Sequence, residues 1–267
     1  MFASLRLVNN KLQTICQCQK LQQRTMSYLK AHRKRFYRNV NLEKTDEGFL
    51  VQLDGKTIKT PLRFKLCIPQ YDLALAVSNE WHMQTNEINP FSMPLTTICN
   101  TTIDNPTELP KEDLVKELLQ FLHSDTICSL AEMPESLVER QDKEWKPIRD
   151  WFSKTFEVEV NASSNLFNLY QSDETVERLE EYLLKMNEWQ INGLQSGIDA
   201  IKSFILPLAV FHGQISVERA VYLSRLESEY QSEKWGKFEG SHDIDQYTQQ
   251  AMLAAGTLVC NLCRFDI

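Results

Sequence analysis

The chain has 267 residues, of which 29 are Lys or Arg, 36 are Asp or Glu and 42% are apolar, and its net charge is −7. This composition is typical of a globular protein with one large or two modest domains. No uncharged stretch reaches the about 20 residues of a membrane-spanning helix, which argues against an integral membrane protein, and the 8 glycines form neither of the usual phosphate-binding loops.

The charge is distributed unevenly along the chain. Residues 1–40 contain nine basic and no acidic side chains, whereas residues 41–267 contain the other 20 basic and all 36 acidic ones. A basic, acid-free head is typical of a nucleic-acid arm or of a cleaved mitochondrial presequence. The acidic remainder lacks the clustered cations that phosphate contacts need. We therefore predict a presequence over residues 1–33, a mitochondrial matrix protein and no nucleic-acid partner.

Short strands dominate the segment that follows the head. Gly48–Leu53 and Lys56–Thr60 have β-prone sequences, and Asp54 and Gly55 between them tolerate the positive φ of a type I′ turn, which predicts a hairpin. Helical spacing of apolar residues predicts a helix over 71–84. Four prolines then interrupt the chain, and we predict an irregular connector that carries a strand at Leu95–Ile98.

Helical patterns dominate from residue 111 onward. We predict helices on both sides of a break at Pro147 and a helix that begins after Ser172. A buried helix over 193–211 is predicted to kink or stop at Pro207, and one continuous helix is predicted over 216–235. The predicted fold class is α+β, with a small β-rich N-terminal domain (34–108) followed by an all-α domain (109–267).

Two residue pairs could carry metal chemistry. His242 and Asp243 are adjacent, as in helical metal-dependent phosphohydrolases, although Asp243 is explained more simply as a helix cap. Cys260 and Cys263 form one C-x-x-C pair, whereas a structural zinc site usually needs two such pairs, so we interpret them as buried thiols. We expect neither a metal nor a cofactor.

Glu227 is the most unusual carboxylate. On a continuous helix over 216–235 it falls among Ala220, Leu223 and Tyr230, in the apolar sector. A carboxylate there is costly unless it is paired, which is consistent with either a buried ion pair or an interaction surface. The five tryptophans, including Trp81 and Trp235, are interpreted as packing residues.

Several segments taken together resemble one family. The segments are Arg35-Phe-Tyr-Arg38, Leu53 to Pro61, Leu73-Ala74, Glu80-Trp81 with Gln84, Met93 to Thr96, Asp104, Asp125-Thr126, Glu139 to Gln141, Trp145, Pro147, Ser224 to Gln231, Trp235-Gly236 and His242-Asp243. Their order and spacing along almost the whole of the chain after the head, from Arg35 to Cys263, make the chain similar to the F1 alpha-subunit assembly chaperone family, that of ATP synthase F1 complex assembly factor 2.

The resemblance implies a non-enzymatic matrix chaperone, which we expect to be monomeric. Members of the family bind the unassembled F1 alpha subunit, prevent its aggregation and release it to the beta subunit. The family's marked glutamate falls on Glu227, so we expect Glu227, Tyr230 and Gln231 to contact the partner. Trp81 is expected to support folding, and Asp54 with Gly55 to form the hairpin turn. The alternatives are a phosphohydrolase that uses His242 and Asp243 and a regulator that binds a small molecule.

Overall fold

The computed structural model of the protein describes residues 33–165, 169–236 and 241–264, with side chains from 244 onward in the last range. Almost all of the predicted presequence therefore lies outside the described residues. The chain divides into two compact units, Met1–Leu109 and Pro110–Ile267. The fold is α+β as predicted, with strands in the first unit and helices in the second. None of the described helices is long and apolar enough to cross a membrane.

The first unit is built on antiparallel strands. The central strand, residues 48–53, pairs with the strand before it along one edge and with the next two strands along the other, while the first and last strands form a separate two-stranded ladder. Asp54 and Gly55 have φ of 48° and 78°, which confirms the predicted hairpin. The strands are β1 Arg33–Lys34, β2 Val40–Thr45, β3 Gly48–Leu53, β4 Lys56–Thr57, β5 Cys67–Ile68 and β6 Glu87–Ile88.

Two helices complete this unit. The predicted helix is confirmed as α1, Tyr71–His82, which buries Leu73, Ala74 and Val77. After a 3-10 turn at Pro90–Ser92 comes α2, Pro94–Asp104, so the predicted strand at 95–98 is wrong. The helix forms although threonine is β-prone, because Pro94 suits a first helical position and the Glu80 carboxylate of α1 accepts from the backbone N–H groups of residues 95 and 96, both at 2.7 Å.

The second unit is helical. Ser172 accepts from the backbone N–H of Thr175, which confirms the predicted cap of the helix that follows it. Short 3-10 turns at Phe121–Ser124 and Thr126–Cys128 separate the first two helices of this unit. The helices are α3 Lys111–Gln120, α4 Glu135–Phe156, α5 Asp173–Leu184, α6 Glu188–Ile201, α7 Ile205–Phe211, α8 Val217–Ser224, α9 Leu226–Trp235 and α10 Ser241–Leu262.

Two predicted helix breaks are misplaced. The expected break at Pro147 is absent, and α4 continues through the proline because Trp145, Ile148 and Phe152 on either side are all buried. The predicted helix over 193–211 is instead split between α6 and α7. Lys202 adopts a left-handed φ of 53° and ends α6, while Pro207 lies within the first turn of α7, where proline costs no hydrogen bond.

The core of the second unit surrounds α6 and α7, and all seven residues of α7 are buried. The close crossing of α6 and α10 depends on glycine: a Cβ on Gly256 would lie 2.3 Å from the carbonyl oxygen of Gly193. The backbones therefore approach each other directly, so the orientation of α10 on the core is closely defined.

Candidate functional site

The segment predicted to contact a partner lies on α8 and α9. Ser216 caps α8 as predicted, its side chain accepting from the backbone N–H of Arg219. The expected continuous helix is wrong, however, because Arg225 adopts φ −105° and ψ 9° and separates the two helices. Side-chain positions on α9 are therefore rotated relative to those on α8. As a result Glu227 is exposed instead of lying in the apolar sector, while Tyr230 is buried.

Glu227 is exposed but oriented by a buried partner. The Gln141 side chain on α4 is 1% exposed and donates from Nε2 to Glu227 Oε1 at 2.7 Å. The Gln141 Oε1 atom accepts from the backbone N–H of Ala131, also at 2.7 Å. The Gln141 side-chain amide thus accepts from a backbone N–H of the preceding loop and also donates to one oxygen of the Glu227 carboxylate. The exposed carboxylate is held in one orientation, as recognition of a partner by charge requires.

A second polar contact joins α4 to the end of α9. The Arg140 guanidinium donates to both Glu233 carboxylate oxygens, at 2.6 and 2.9 Å, and to the Tyr222 hydroxyl at 2.9 Å. These bonds, first to Glu233 and then to Tyr222, raise the pKa of Arg140. Buried Trp145 donates from Nε1 to the Leu223 carbonyl at 2.9 Å. These hydrogen bonds from α4 to α8 and α9 fix the positions of the two helices, and so of the surface around Glu227.

The structure separates the other two predicted contact residues. The Tyr230 side chain is 7% exposed and its hydroxyl hydrogen-bonds the Ser136 hydroxyl on α4, so it mainly anchors α9. A hydrogen bond from Lys234, and then that from Ser136, lower the pKa of Tyr230. Gln231 is exposed on α9. The surface available to a partner on this helix is therefore formed by Glu227, Gln231 and Trp235, and we call it the α9 face.

Trp235 and Gln141 are two positions where sequence reasoning failed. Trp235 was interpreted as a packing residue, but it is 77% exposed at the end of α9. Gln141 was named only within the segment Glu139 to Gln141 and was given no role, although one signal was present in the sequence. It lies between Leu137 and Trp145 at spacings of four, so a lone amide interrupts the apolar face of α4. A buried amide in such a position must have hydrogen-bond partners.

The residues assigned to folding lie in the first unit. Trp81 is partly buried and packs against a cluster of Tyr37, Leu53, Ile88 and Met93, and its carbonyl accepts from the Tyr37 hydroxyl at 2.6 Å. Asp54 accepts from the backbone N–H groups of residues 38 and 39, and these bonds, that of residue 39 first, lower the pKa of Asp54. The turn at Asp54 and Gly55 is thus tied to the preceding segment of chain.

The residues considered for metal chemistry do not form a metal site among the described side chains. The side chains of His242 and Asp243 lie outside the described ones. Among the described residues, no three His, Cys, Asp or Glu side chains are grouped so as to hold a metal ion. Cys260 and Cys263 are buried as predicted, and burial raises the pKa of both thiols to about 12. Such thiols are protonated at neutral pH and therefore poor nucleophiles.

Comparison with known proteins gives consistent matches. The profile of a family described as ATP12 chaperone protein matches residues 34–153. The chain is 28% identical to the mitochondrial protein atp12 of Schizosaccharomyces pombe, over 85% of this chain and 81% of that protein. It is 26% identical to mitochondrial ATP12 of Saccharomyces cerevisiae, over 80% and 79%. The crystal structure of Atp12 from Paracoccus denitrificans matches with a TM-score of 0.77 and 27% identity, over 87% of this chain and 99% of that one.

Proposed function

We propose, from its similarity to ATP12 chaperone proteins, that the chain is a chaperone of this family and binds the unassembled alpha subunit of mitochondrial F1-ATPase. Its role in the assembly of the ATP synthase is that of a chaperone, and its location is the mitochondrion. In the finer proposal it acts in the matrix without catalysis and releases the alpha subunit to the beta subunit. The similarity to mitochondrial ATP12 proteins over most of the chain is the observation that carries this proposal.

The physical reason for such a chaperone is the surface of an orphan subunit. A subunit that normally packs against others exposes apolar area before assembly, and this area promotes aggregation. A chaperone must cover the area reversibly, so that the permanent partner can displace it. A binding surface with a polar contact at a defined position suits this purpose, because it provides selectivity without the very tight binding of a large apolar interface.

The α9 face supplies such a surface. Glu227 presents an exposed carboxylate whose orientation is fixed by Gln141, and Gln231 and Trp235 lie on the same helix. A carboxylate selects a cationic or amide-bearing group, and a largely exposed tryptophan contributes apolar area when it is covered. We propose that the alpha subunit presents a basic or amide side chain to Glu227.

The test is Glu227→Lys in the full chain. The charge reversal replaces attraction by repulsion, so we expect loss of alpha-subunit binding and of protection against aggregation, with an unchanged helical circular dichroism spectrum. Purified protein is mixed with aggregation-prone alpha subunit without nucleotide, and light scattering and co-elution are recorded before and after an excess of beta subunit is added. Release of alpha on addition of beta would support the hand-off.

Two further variants separate charge from folding. Glu181→Lys makes the same charge reversal at an exposed position on another helix, α5, and should bind nearly normally, which makes it the matched control. Glu227→Gln keeps an acceptor for Gln141 but removes the charge, and we expect partial binding. Failure of the wild-type chain to suppress aggregation would refute the proposed function. Normal binding by Glu227→Lys would refute only the role of the α9 face.

A further inference from the structure

The solvent-facing side of α10 carries a row of apolar residues, beside which Asp245, Thr248 and Asn261 are also exposed. Ile244 and Tyr247 are 68% and 70% exposed, Leu258 is 39% exposed, and Ala251 and Ala254 between them are exposed as well. The opposite side of α10 packs on α6. A typical surface helix places polar side chains on its outer face, so this apolar row requires an explanation. We call these five residues the α10 stripe.

The spacing of the stripe fits a partner that is itself a helix. The five residues follow one another at intervals of three, four, three and four, which is the seam of a helix that packs along another helix. Two alanines at the centre allow the backbones to approach closely, while larger side chains lie towards both ends. An extended strand offers no matching repeat, because its side chains alternate with a period of two.

The chemistry of the stripe is as specific as its spacing. No charged or histidine residue occurs between positions 246 and 263, although charged residues make up 24% of the whole chain. By contrast α5, Asp173–Leu184, carries six charged side chains in its twelve residues. Asp245, beside Ile244, is the one charged residue within the span of the stripe, and an unpaired charge brought against the rest of the stripe would be desolvated at a cost. It therefore favours an uncharged, apolar partner surface.

A second copy of this chain is a poor occupant. The stripe offers roughly half of the about 800 Å² per partner that a stable protein interface needs, because two of its five side chains are alanines. Two copies would also each bring a net charge of −7 into contact. A larger client can contact several surfaces of one chaperone, so a small stripe can contribute to a larger interface.

We propose that the α10 stripe docks an apolar helix of the client, the unassembled alpha subunit, and this inference rests on the proposed function. The stripe lies on the side of α10 opposite Gln249, whose Oε1 accepts from Arg225 Nη1 at the start of α9 at 3.5 Å. It is therefore a second docking surface, distinct from the α9 face, and it covers apolar area of the client without any charge contact.

The experiment uses Ala254→Glu in the full chain. Ala254 is exposed and glutamate is a good helix former, so the fold should be unchanged, whereas a docked apolar helix would desolvate the new carboxylate. We expect the affinity for the alpha subunit to fall at least about tenfold, with a matching loss of protection in light scattering. Thr155→Glu is the matched control, because it adds the same charge to an exposed position on a different helix, α4.

The outcomes distinguish this inference from the proposed function. Equal binding by wild type, Ala254→Glu and Thr155→Glu would overturn the inference and leave the proposed function intact, whereas absence of binding by wild type would overturn both. Sedimentation of the chain alone provides the remaining check. A wild-type dimer that Ala254→Glu converts to a monomer would overturn the inference in favour of a second copy as occupant, and a monomer at all concentrations supports the client.

Discussion

At the scale of single residues, Trp81 and Trp235 show how burial determines what a tryptophan does. Trp81 packs against the cluster around Tyr37, with ring centroids 5.9 Å apart at an angle of 61°, whereas the side chain of Trp235 is 77% exposed. We expect Trp81→Ala to lower the free energy of unfolding of the first unit by about 3 kcal/mol, because it leaves a cavity. Trp235→Ala should change it by less than about 0.5 kcal/mol.

Urea unfolding followed by circular dichroism measures both variants, and the same protein samples can be used to test client binding. The two substitutions remove the same side chain, so each controls for the other. If Trp81→Ala were as stable as wild type, the assignment of Trp81 to folding would be wrong. If Trp235→Ala bound the alpha subunit with wild-type affinity, Trp235 would have to be removed from the α9 face.

His212 gives the second unit a pH dependence whose sign follows from its surroundings. Its Nε2 lies 2.9 Å from the Tyr182 hydroxyl and its ring lies beside Phe156 and Trp151. Burial, and then the nearby Arg264, lower the pKa of His212. The unfolded chain therefore binds this proton more readily than the folded chain, and stability falls as the pH falls below the unfolded value of about 6.5.

We expect the wild-type chain to lose more stability than His212→Gln between pH 7.5 and pH 5.5. Glutamine retains a polar group that can reach Tyr182 but does not titrate, so the difference between the two proteins isolates the histidine. Thermal unfolding at a series of pH values provides the measurement. Parallel curves for the two proteins would show that His212 does not contribute to the acid loss of stability.

At the scale of elements, two carboxylates begin helices that lie far from them in sequence. Glu80 of α1 caps α2, and Asp125 accepts from the backbone N–H groups of Phe204 and Ile205 at 2.7 and 2.9 Å, at the start of α7. Asp125 is fully buried and also accepts from the Ser203 hydroxyl at 2.8 Å. Each carboxylate satisfies N–H groups that the local chain leaves without a partner.

Asp125→Ala should therefore destabilise the second unit strongly. The substitution leaves two buried backbone N–H groups and a buried hydroxyl without their acceptor, at a total cost of roughly 3 kcal/mol. Asp113→Ala, at an exposed first-turn position of α3, is the matched control and should cost less than about 1 kcal/mol. Urea unfolding compares the two, and equal effects would mean that the buried cap contributes no more than an exposed one.

The same two caps explain what the sequence could and could not predict about the elements. The hairpin at Asp54 and Gly55 and the helix α1 were predicted because turn chemistry and helical spacing are local properties. The helix α2 was predicted as a strand, and the start of α7 was missed, because their caps are contributed by Glu80 and Asp125 from other elements. Local patterns do not contain such partners, and tertiary contacts override the propensities of single residues.

Prediction of the candidate site from the sequence was limited in the same way, because it also depends on contacts between elements. Glu227 is predicted to lie in an apolar sector, and this is wrong because the structure interrupts the helix at Arg225 and leaves Glu227 exposed, while its role at the interface stays a prediction. The position of Gln141 beneath it depends on how α4 packs against α9, which spacing along one helix cannot reveal. The sequence therefore identified a residue for the proposed role, and only the fold provided the partner that orients it.

At the scale of the whole molecule, the two units differ in the size of their cores. The second unit, Pro110–Ile267, has one continuous core around α6 and α7, whereas the strands and helices of the first, Met1–Leu109, enclose smaller apolar clusters. Because the fraction of surface buried on folding rises with chain length, the larger unit has the greater capacity to fold alone. This bears on the two-domain organisation with a boundary at 108 and 109, which stays a prediction.

We expect a fragment of residues 110–267 to unfold cooperatively in urea, with a helical spectrum, and a fragment of residues 34–109 to be marginally stable alone. The intact chain is the reference, and Asp125→Ala in the larger fragment should lower its midpoint as it does in the chain, since the capped helix lies within that fragment. A larger fragment without a cooperative transition would mean that the two units stabilise each other and that the boundary does not separate independent domains.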